Sequence, residues 1–360
     1  MKTWIDTLNV YQPGLPIEEV ARELGISDIN NIIKVASNEN EFGPSPKAIQ
    51  AMNECTNQMH RYPDGGAYYL KEKLANKLNV LPSQILFGNG SNELIIFLSH
   101  LYLEPGRSLL MSEHAFAVYA LATKLYQGEL IQAPMKNLTH DLDAMLNLID
   151  SRTKIVSVVN SNNPTGTAVK PNDLEEFIQE VPDHVLCVVD EAYYEVMPKD
   201  KQLDIIKYIN SGKENLLILR TFSKGYGLAG LRIGYGIGSS SLISKLNKIR
   251  QPFNVNAMAQ SAALAALDDD EYIEYCRSQI CNGVRYLEKE FNKLGLETVP
   301  SAANFILVKT FNGNKVFKDL QKRKIIVRPM NVYNLPDYVR ISVGTTEQNK
   351  KIIDAFSEIF

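Results

Sequence analysis

Between Pro46 and Ile237 the chain alternates apolar runs of strand length with segments of helical period. Ile85-Leu86-Phe87 and the runs at 155–159, 185–189 and 216–219 each lead into a polar or glycine-bearing turn. Helical spacing recurs near 46–59, 68–78, 91–103 and 116–126. Apolar runs of this kind, separated by helices, predict a mostly parallel sheet covered on both faces. Its strands are expected at 84–87, 108–111, 153–160, 185–189, 215–220 and 231–237. In such sheets ligands gather at the carboxyl ends of strands. Four of these ends carry polar residues: Gly90-Ser91-Asn92, Asn163-Pro164-Thr165-Gly166, Asp190 and Lys224.

The 360 residues, 45% hydrophobic, suffice for one large core and a smaller one. Residues 1–45 read as an arm, with a short helix between Pro16 and Gly25, a strand at 32–36 and a polar loop at 37–44. Residues 46–250 form the large domain of the α/β class. After the break Gln251-Pro252-Phe253-Asn254, residues 251–360 form a smaller α+β domain. It holds a helix from about 256 to 294, strands at 303–309, 325–328 and 338–343, and helices near 313–323 and 346–359. The arm is expected to pack on that domain.

Several function classes fall away. A net charge of −3 gives no overall attraction to nucleic acid or anionic membrane. Four cysteines without a C-x-x-C pair and five histidines without H-x-x-x-H spacing argue against a disulfide framework or a metal site. The start Met1-Lys2-Thr3-Trp4-Ile5-Asp6 lacks a secretory signal pattern, and no apolar run is long enough to span a bilayer, so a cytoplasmic protein is expected. Gly225-Tyr226-Gly227-Leu228-Ala229-Gly230 matches the dinucleotide fingerprint by letter. The adjoining stretch Leu231-Arg232-Ile233-Gly234-Tyr235-Gly236-Ile237 alternates like a strand, however, and no Asp or Glu occurs between Glu214 and Asp268, so a nicotinamide site is not expected.

The residues at the strand ends suit a different cofactor. Lys224 comes just after an apolar run and sits between hydroxyl residues and a glycine-rich turn, where an amine can form a Schiff base with a carbonyl. Thr221, Ser223 and Arg232 supply donors for a phosphate. Asp190 could keep a pyridine nitrogen protonated, Asn163 and Tyr193 could donate to a phenolic oxygen, Ser91 and its helix N-terminus could hold phosphate, and Phe116 could stack on a ring. Taken singly, each has a plainer reading: a turn aspartate, an ordinary Asn-Pro-Thr-Gly turn, a helix cap, a core aromatic.

Taken together and in order, these motifs resemble the fold type I family of pyridoxal-phosphate-dependent aminotransferases. The resemblance runs from Tyr11-Gln12-Pro13-Gly14 and Asn38-Glu39-Asn40 through Arg61-Tyr62-Pro63-Asp64, Gly90-Ser91-Asn92-Glu93, Asn162–Gly166, Asp190–Tyr193 and Ser223-Lys224. It ends at Val327-Arg328-Pro329 and Arg340-Ile341-Ser342-Val343-Gly344. It implies pyridoxal 5'-phosphate, with Lys224 as Schiff-base lysine and proton shuttle, Asp190 as pyridinium partner, Asn163 and Tyr193 on the phenolate oxygen and Phe116 on the ring. Ser91, Asn92, Thr221, Ser223 and Arg232 would hold the phosphate, joined by Tyr62 from the second subunit of a homodimer. Tyr11, Asn40, Arg328 and Arg340 would bind substrate. Within the family the resemblance is closest to the histidinol-phosphate aminotransferases, which implies L-histidinol phosphate and 2-oxoglutarate or L-glutamate as substrates. Aromatic amino-acid aminotransferases and a threonine-phosphate decarboxylase of the same fold are the alternatives. The chain departs from the pattern at Ser161, where a proline is familiar, at Asn92 for aspartate, at Gly225 for the alanine that often comes after the lysine, and at Glu113-His114-Ala115, where a proline usually precedes the stacking aromatic.

Overall fold

The computed structural model describes every residue except 1, 2, 9, 11–13, 15 and 26. Its central sheet has seven strands: β1 (Ile85–Gly88), β2 (Ser108–Ser112), β3 (Glu129–Ala133), β4 (Thr153–Val159), β5 (Leu186–Asp190), β6 (Leu216–Thr221) and β7 (Gly234–Gly238). Their spatial order is β1-β7-β6-β5-β4-β2-β3, all parallel except β7. Alternate side chains enter two apolar layers. Val156, Val158, Cys187, Val189, Leu216 and Ile218 lie on one face, and Ile155, Val159, Leu186, Val188, Leu217 and Leu219 on the other. Burial on both faces is why these strands read as unbroken apolar runs. Helices α1 (Ser91–Tyr102) and α2 (Ala117–Leu125) leave the ends of β1 and β2 and cover the second face.

A second, antiparallel sheet of β8 (Thr298–Val299), β9 (Phe305–Lys309), β10 (Arg328–Pro329) and β11 (Tyr338–Ser342) has the order β8-β9-β11-β10. Its apolar face packs on α3 (Asp270–Lys293) through Val284, Leu287 and Phe291. Ile33–Lys34 pairs in parallel with Ile325–Ile326, and Val20, Ala21, Ile32 and Ala36 pack around Ile326.

Three boundaries differ from expectation. The strand expected at 231–237 begins at Gly234, because Ala229–Leu231 forms a 3-10 turn and Arg232 takes a left-handed φ of 57°. The long helix expected over 256–294 is two, Ala257–Ala266 and α3; in the break Asp268 pairs with Lys73, and at the start of α3 Asp270 pairs with Lys77. The run at 325–328 is divided between two sheets. Among the described residues, no helix is long and apolar enough to cross a membrane and no cluster of His, Cys, Asp and Glu could hold a metal ion.

Candidate active site

A cavity of about 780 Å³ opens at the carboxyl ends of β4, β5 and β6, with β10 and β11 across from them. Ser91, Asn92, Phe116, Asn163, Asp190, Tyr193, Thr221, Ser223, Lys224, Arg232, Arg328 and Arg340 all border it. Lys224 stands in the turn after β6, and its Nζ donates to the carbonyls of Asn38 at 2.9 Å and Ser37 at 3.2 Å. Burial, with the charge of Arg340 second, pushes the amine down to about 7, against the pull of Glu39. An added Cβ on Gly225 would lie 2.5 Å from Cβ of Glu195, so the packing behind the turn accounts for a glycine directly after the lysine.

Asp190 ends β5. Its Oδ1 accepts the Ala192 N–H at 3.2 Å, and its Oδ2 accepts the Tyr119 hydroxyl at 3.0 Å. Burial lifts the carboxyl to about 6, while the two hydrogen bonds act the other way. The Tyr193 hydroxyl accepts from Asn38 Nδ2 at 2.9 Å, which leaves its own proton for another acceptor. Asn163 Oδ1 accepts from Arg340 Nη1 at 2.5 Å, which orients the amide. Arg340 Nη2 donates to the Ala36 carbonyl at 2.9 Å. In the register of β10 and β11, Arg328 and Arg340 are direct cross-strand partners. Like charges so placed repel unless an anion joins them.

At the other end, α1 begins at Ser91 behind Gly90, whose φ is 78°. Arg232 Nη1 reaches Ser223 Oγ at 3.4 Å and the Ala229 carbonyl at 3.0 Å. Thr221 Oγ1 accepts the Ser223 N–H at 3.1 Å and fixes the turn. A Cβ on Gly90 would come within 2.4 Å of Arg232 Nη2, and one on Gly234 within 2.3 Å of the Ser91 nitrogen. The two glycines let Arg232 and the start of β7 pack closely against the N-terminus of α1, and Ser91, Asn92 and Arg232 together border the cavity there, where a guanidinium and free helix N–H groups suit an anion. Glu93 points away, its Oε2 accepting from Asn89 N–H and Asn254 Nδ2.

Not every expected residue arrives. Asn40 does not border the cavity: its Nδ2 donates to the Gly225 carbonyl at 3.0 Å, so it steadies the lysine turn, and Asn38 takes the place facing Tyr193. Tyr62 lies outside the cavity and is 84% exposed, stacked on Phe253 at 4.9 Å. Tyr11 lies outside the described residues. Asn38, Tyr119 and Tyr333 were not expected at or under the cavity, although Tyr119 stands one helical turn after Phe116.

The family described as aminotransferase class I and II matches residues 30–356. The histidinol-phosphate aminotransferase of Moorella thermoacetica is 43% identical over 98% of this chain and 91% of its own length. Histidinol-phosphate aminotransferase 2 of Pseudomonas aeruginosa is 44% identical over 99% of this chain and 96% of its own. Among solved structures, histidinol-phosphate aminotransferase from Sinorhizobium meliloti in complex with pyridoxal-5'-phosphate aligns with a TM-score of 0.92 at 28% identity, covering 100% of this chain and 97% of that one. Aspartate aminotransferase from Thermus thermophilus with maleate, at 20% identity and a TM-score of 0.85, shares the fold.

Proposed function

This chain belongs to the class I and II aminotransferase family, and on that premise we propose that it moves an amino group between L-histidinol phosphate and 2-oxoglutarate. The products are imidazole-acetol phosphate and L-glutamate, a step of L-histidine biosynthesis. The cofactor is pyridoxal 5'-phosphate, and the enzyme works in the cytoplasm as a homodimer. One observation carries the substrate reading: Arg328 and Arg340 stand side by side in the cavity that holds Lys224. Two guanidinium groups bordering one cavity suit a phosphate monoester in one half-reaction and a carboxylate in the other.

The residues present fit the cofactor. The end of the cavity bordered by Ser91, Asn92 and Arg232 suits a phosphate, and Asp190 is a buried carboxylate bordering the cavity with no cation paired to it among the described residues. Ser91, Asn92, Thr221, Ser223 and Arg232 would hold the phosphate, Asp190 the ring nitrogen, Asn163 and Tyr193 the phenolic oxygen, and Phe116 one face of the ring. When bound, pyridoxal phosphate supplies a carbonyl that condenses with amines and a ring that withdraws electrons from the carbon bearing the amine. Lys224 Nζ is the covalent anchor and then the base that takes the proton from that carbon. An amine brought down to about 7 is about half unprotonated at neutral pH, where an ordinary lysine is almost fully charged, so the free base is available. Asn163, fixed by Arg340, ties recognition of the substrate anion to the cofactor's position.

The test is to mix the cofactor-loaded protein with L-histidinol phosphate alone and track the visible absorption band. Loss of the band, and its return on adding 2-oxoglutarate, is the expected result. If only glutamate or phenylalanine bleaches it, the histidine-pathway assignment falls while the transaminase assignment stands.

A further inference from the structure

Asp190 is held from beneath by a residue that takes no part in the proposed chemistry. Tyr119 comes one turn of α2 after Phe116, so one aromatic ring borders the cavity while the other lies under its floor. The Tyr119 ring is 1% exposed and belongs to the apolar layer of Ile155, Val159, Val188 and Leu219. Its hydroxyl crosses that layer to reach Asp190 Oδ2, while Oδ1 is met by the Ala192 N–H. Donors on both oxygens fix the plane of the carboxylate and favour its charged form, against burial and the neighbouring Glu191, which favour the neutral acid. The phenol keeps its proton because burial and the adjacent carboxylate raise its pKa well above the ordinary value. It is therefore a donor throughout the pH range in which the enzyme works.

We propose that Tyr119 is the positioning residue for Asp190, its hydroxyl holding the carboxylate ionised and turned to meet a ring N–H in the cavity. The inference rests on the reading that this cavity takes pyridoxal phosphate. Tyr119→Phe removes one oxygen and keeps the ring, so the apolar layer is preserved. The measurement is equilibrium binding of pyridoxal 5'-phosphate to the folded apo-protein, repeated across the pH range around 6 at which Asp190 titrates. Loss of a hydrogen bond to a buried charge is expected to weaken binding by about ten- to a hundredfold. Acidification should then release the cofactor at a higher pH than in the wild type, because the unsupported carboxylate takes up its proton sooner. In an Asp190→Ala background, where Tyr119 has no acceptor left to hold, the Tyr119→Phe change should have no further effect on cofactor affinity. Equal losses in both backgrounds, or a pH profile unmoved by Tyr119→Phe, would mean that Tyr119 only packs and would overturn the proposal. Failure of the wild type itself to bind the cofactor would overturn the cofactor reading instead.

Discussion

Glu195 is enclosed behind the turn that carries Lys224, and its Oε2 has no hydrogen-bond partner among the described residues. Burial lifts its pKa to about 7, with the charge of Arg220 opposing. Arg220 is itself engaged by Glu191 at 2.8 Å and lies over the ring of Tyr194. Because the folded state binds this proton more tightly than the unfolded chain, Glu195 weakens the fold above pH 7. The penalty disappears as pH falls from about 7 toward the ordinary glutamate value. Glu195→Gln should therefore raise unfolding free energy at pH 8 by up to about 3 kcal/mol and have little effect near pH 5. Denaturant titrations at the two pH values measure this, and an equal gain at both would remove Glu195 as the titrating group. The sequence exposes such residues unevenly. Lys224, Asp190 and Asn163 were legible because each stands close after an apolar run whose end position is set by the sheet. Asn38 and Tyr119 were not, because their partners Tyr193 and Asp190 lie 155 and 71 residues away. Which asparagine of Asn38-Glu39-Asn40 faces the cavity turns on the positive φ of 55° at Asn38, and letters alone do not report that angle.

The strands β10 and β11 bring together Arg328 and Arg340, the two arginines proposed to bind substrate, and their pairing was the hardest feature to read in advance. Residues 325–328 have uniform strand composition, yet Ile325–Ile326 joins Ile33–Lys34 while Arg328–Pro329 joins β11. Pro329 cannot donate to a ladder and suits the outer strand of the sheet. By contrast the seven-stranded sheet was legible because burial on both faces leaves an unmistakable apolar run, and the edge strand β3, half exposed, was the one that gave no such signal. The cross-strand placement makes a specific demand on Arg340. Its fork holds the Ala36 carbonyl with one nitrogen and Asn163 with another, which a lysine cannot do even though it keeps the charge. Arg340→Lys should raise KM for histidinol phosphate and for 2-oxoglutarate together by about ten- to a hundredfold, because one guanidinium serves both anions. Steady-state kinetics with each substrate varied in turn will measure it. A rise for one substrate alone would show that phosphate and carboxylate use separate anchors.

At the scale of the molecule, the end of the cavity proposed to take the cofactor's phosphate stays open in a single chain, for Asn92 and Arg232 are both exposed. Elsewhere on the surface Tyr62 and Phe253 stack in the open, with Tyr68 and Tyr69 also exposed, and Phe253 holds a left-handed φ of 56° that a bulky residue rarely adopts. Exposed aromatic pairs of this kind suit a surface that a partner covers. If a second copy covers it, Tyr62 leaves its own chain's surface to complete the partner's phosphate cradle. The dimer then carries two sites, each drawing Lys224 from one protomer and Tyr62 from the other. This arrangement makes a prediction that no single-chain site can meet. Lys224→Ala protein should be inactive, and Tyr62→Ala protein should bind pyridoxal phosphate about tenfold or more weakly, as expected for loss of a charge-assisted hydrogen bond. In a hybrid dimer of the two, one site has lost both residues and the other has lost neither. Hybrids prepared by co-expression and separated by differential tags should regain wild-type cofactor affinity at one site per dimer, with half the wild-type turnover. If Tyr62 acts within its own chain, the hybrid's one lysine-bearing site would keep the weak affinity of the Tyr62→Ala parent.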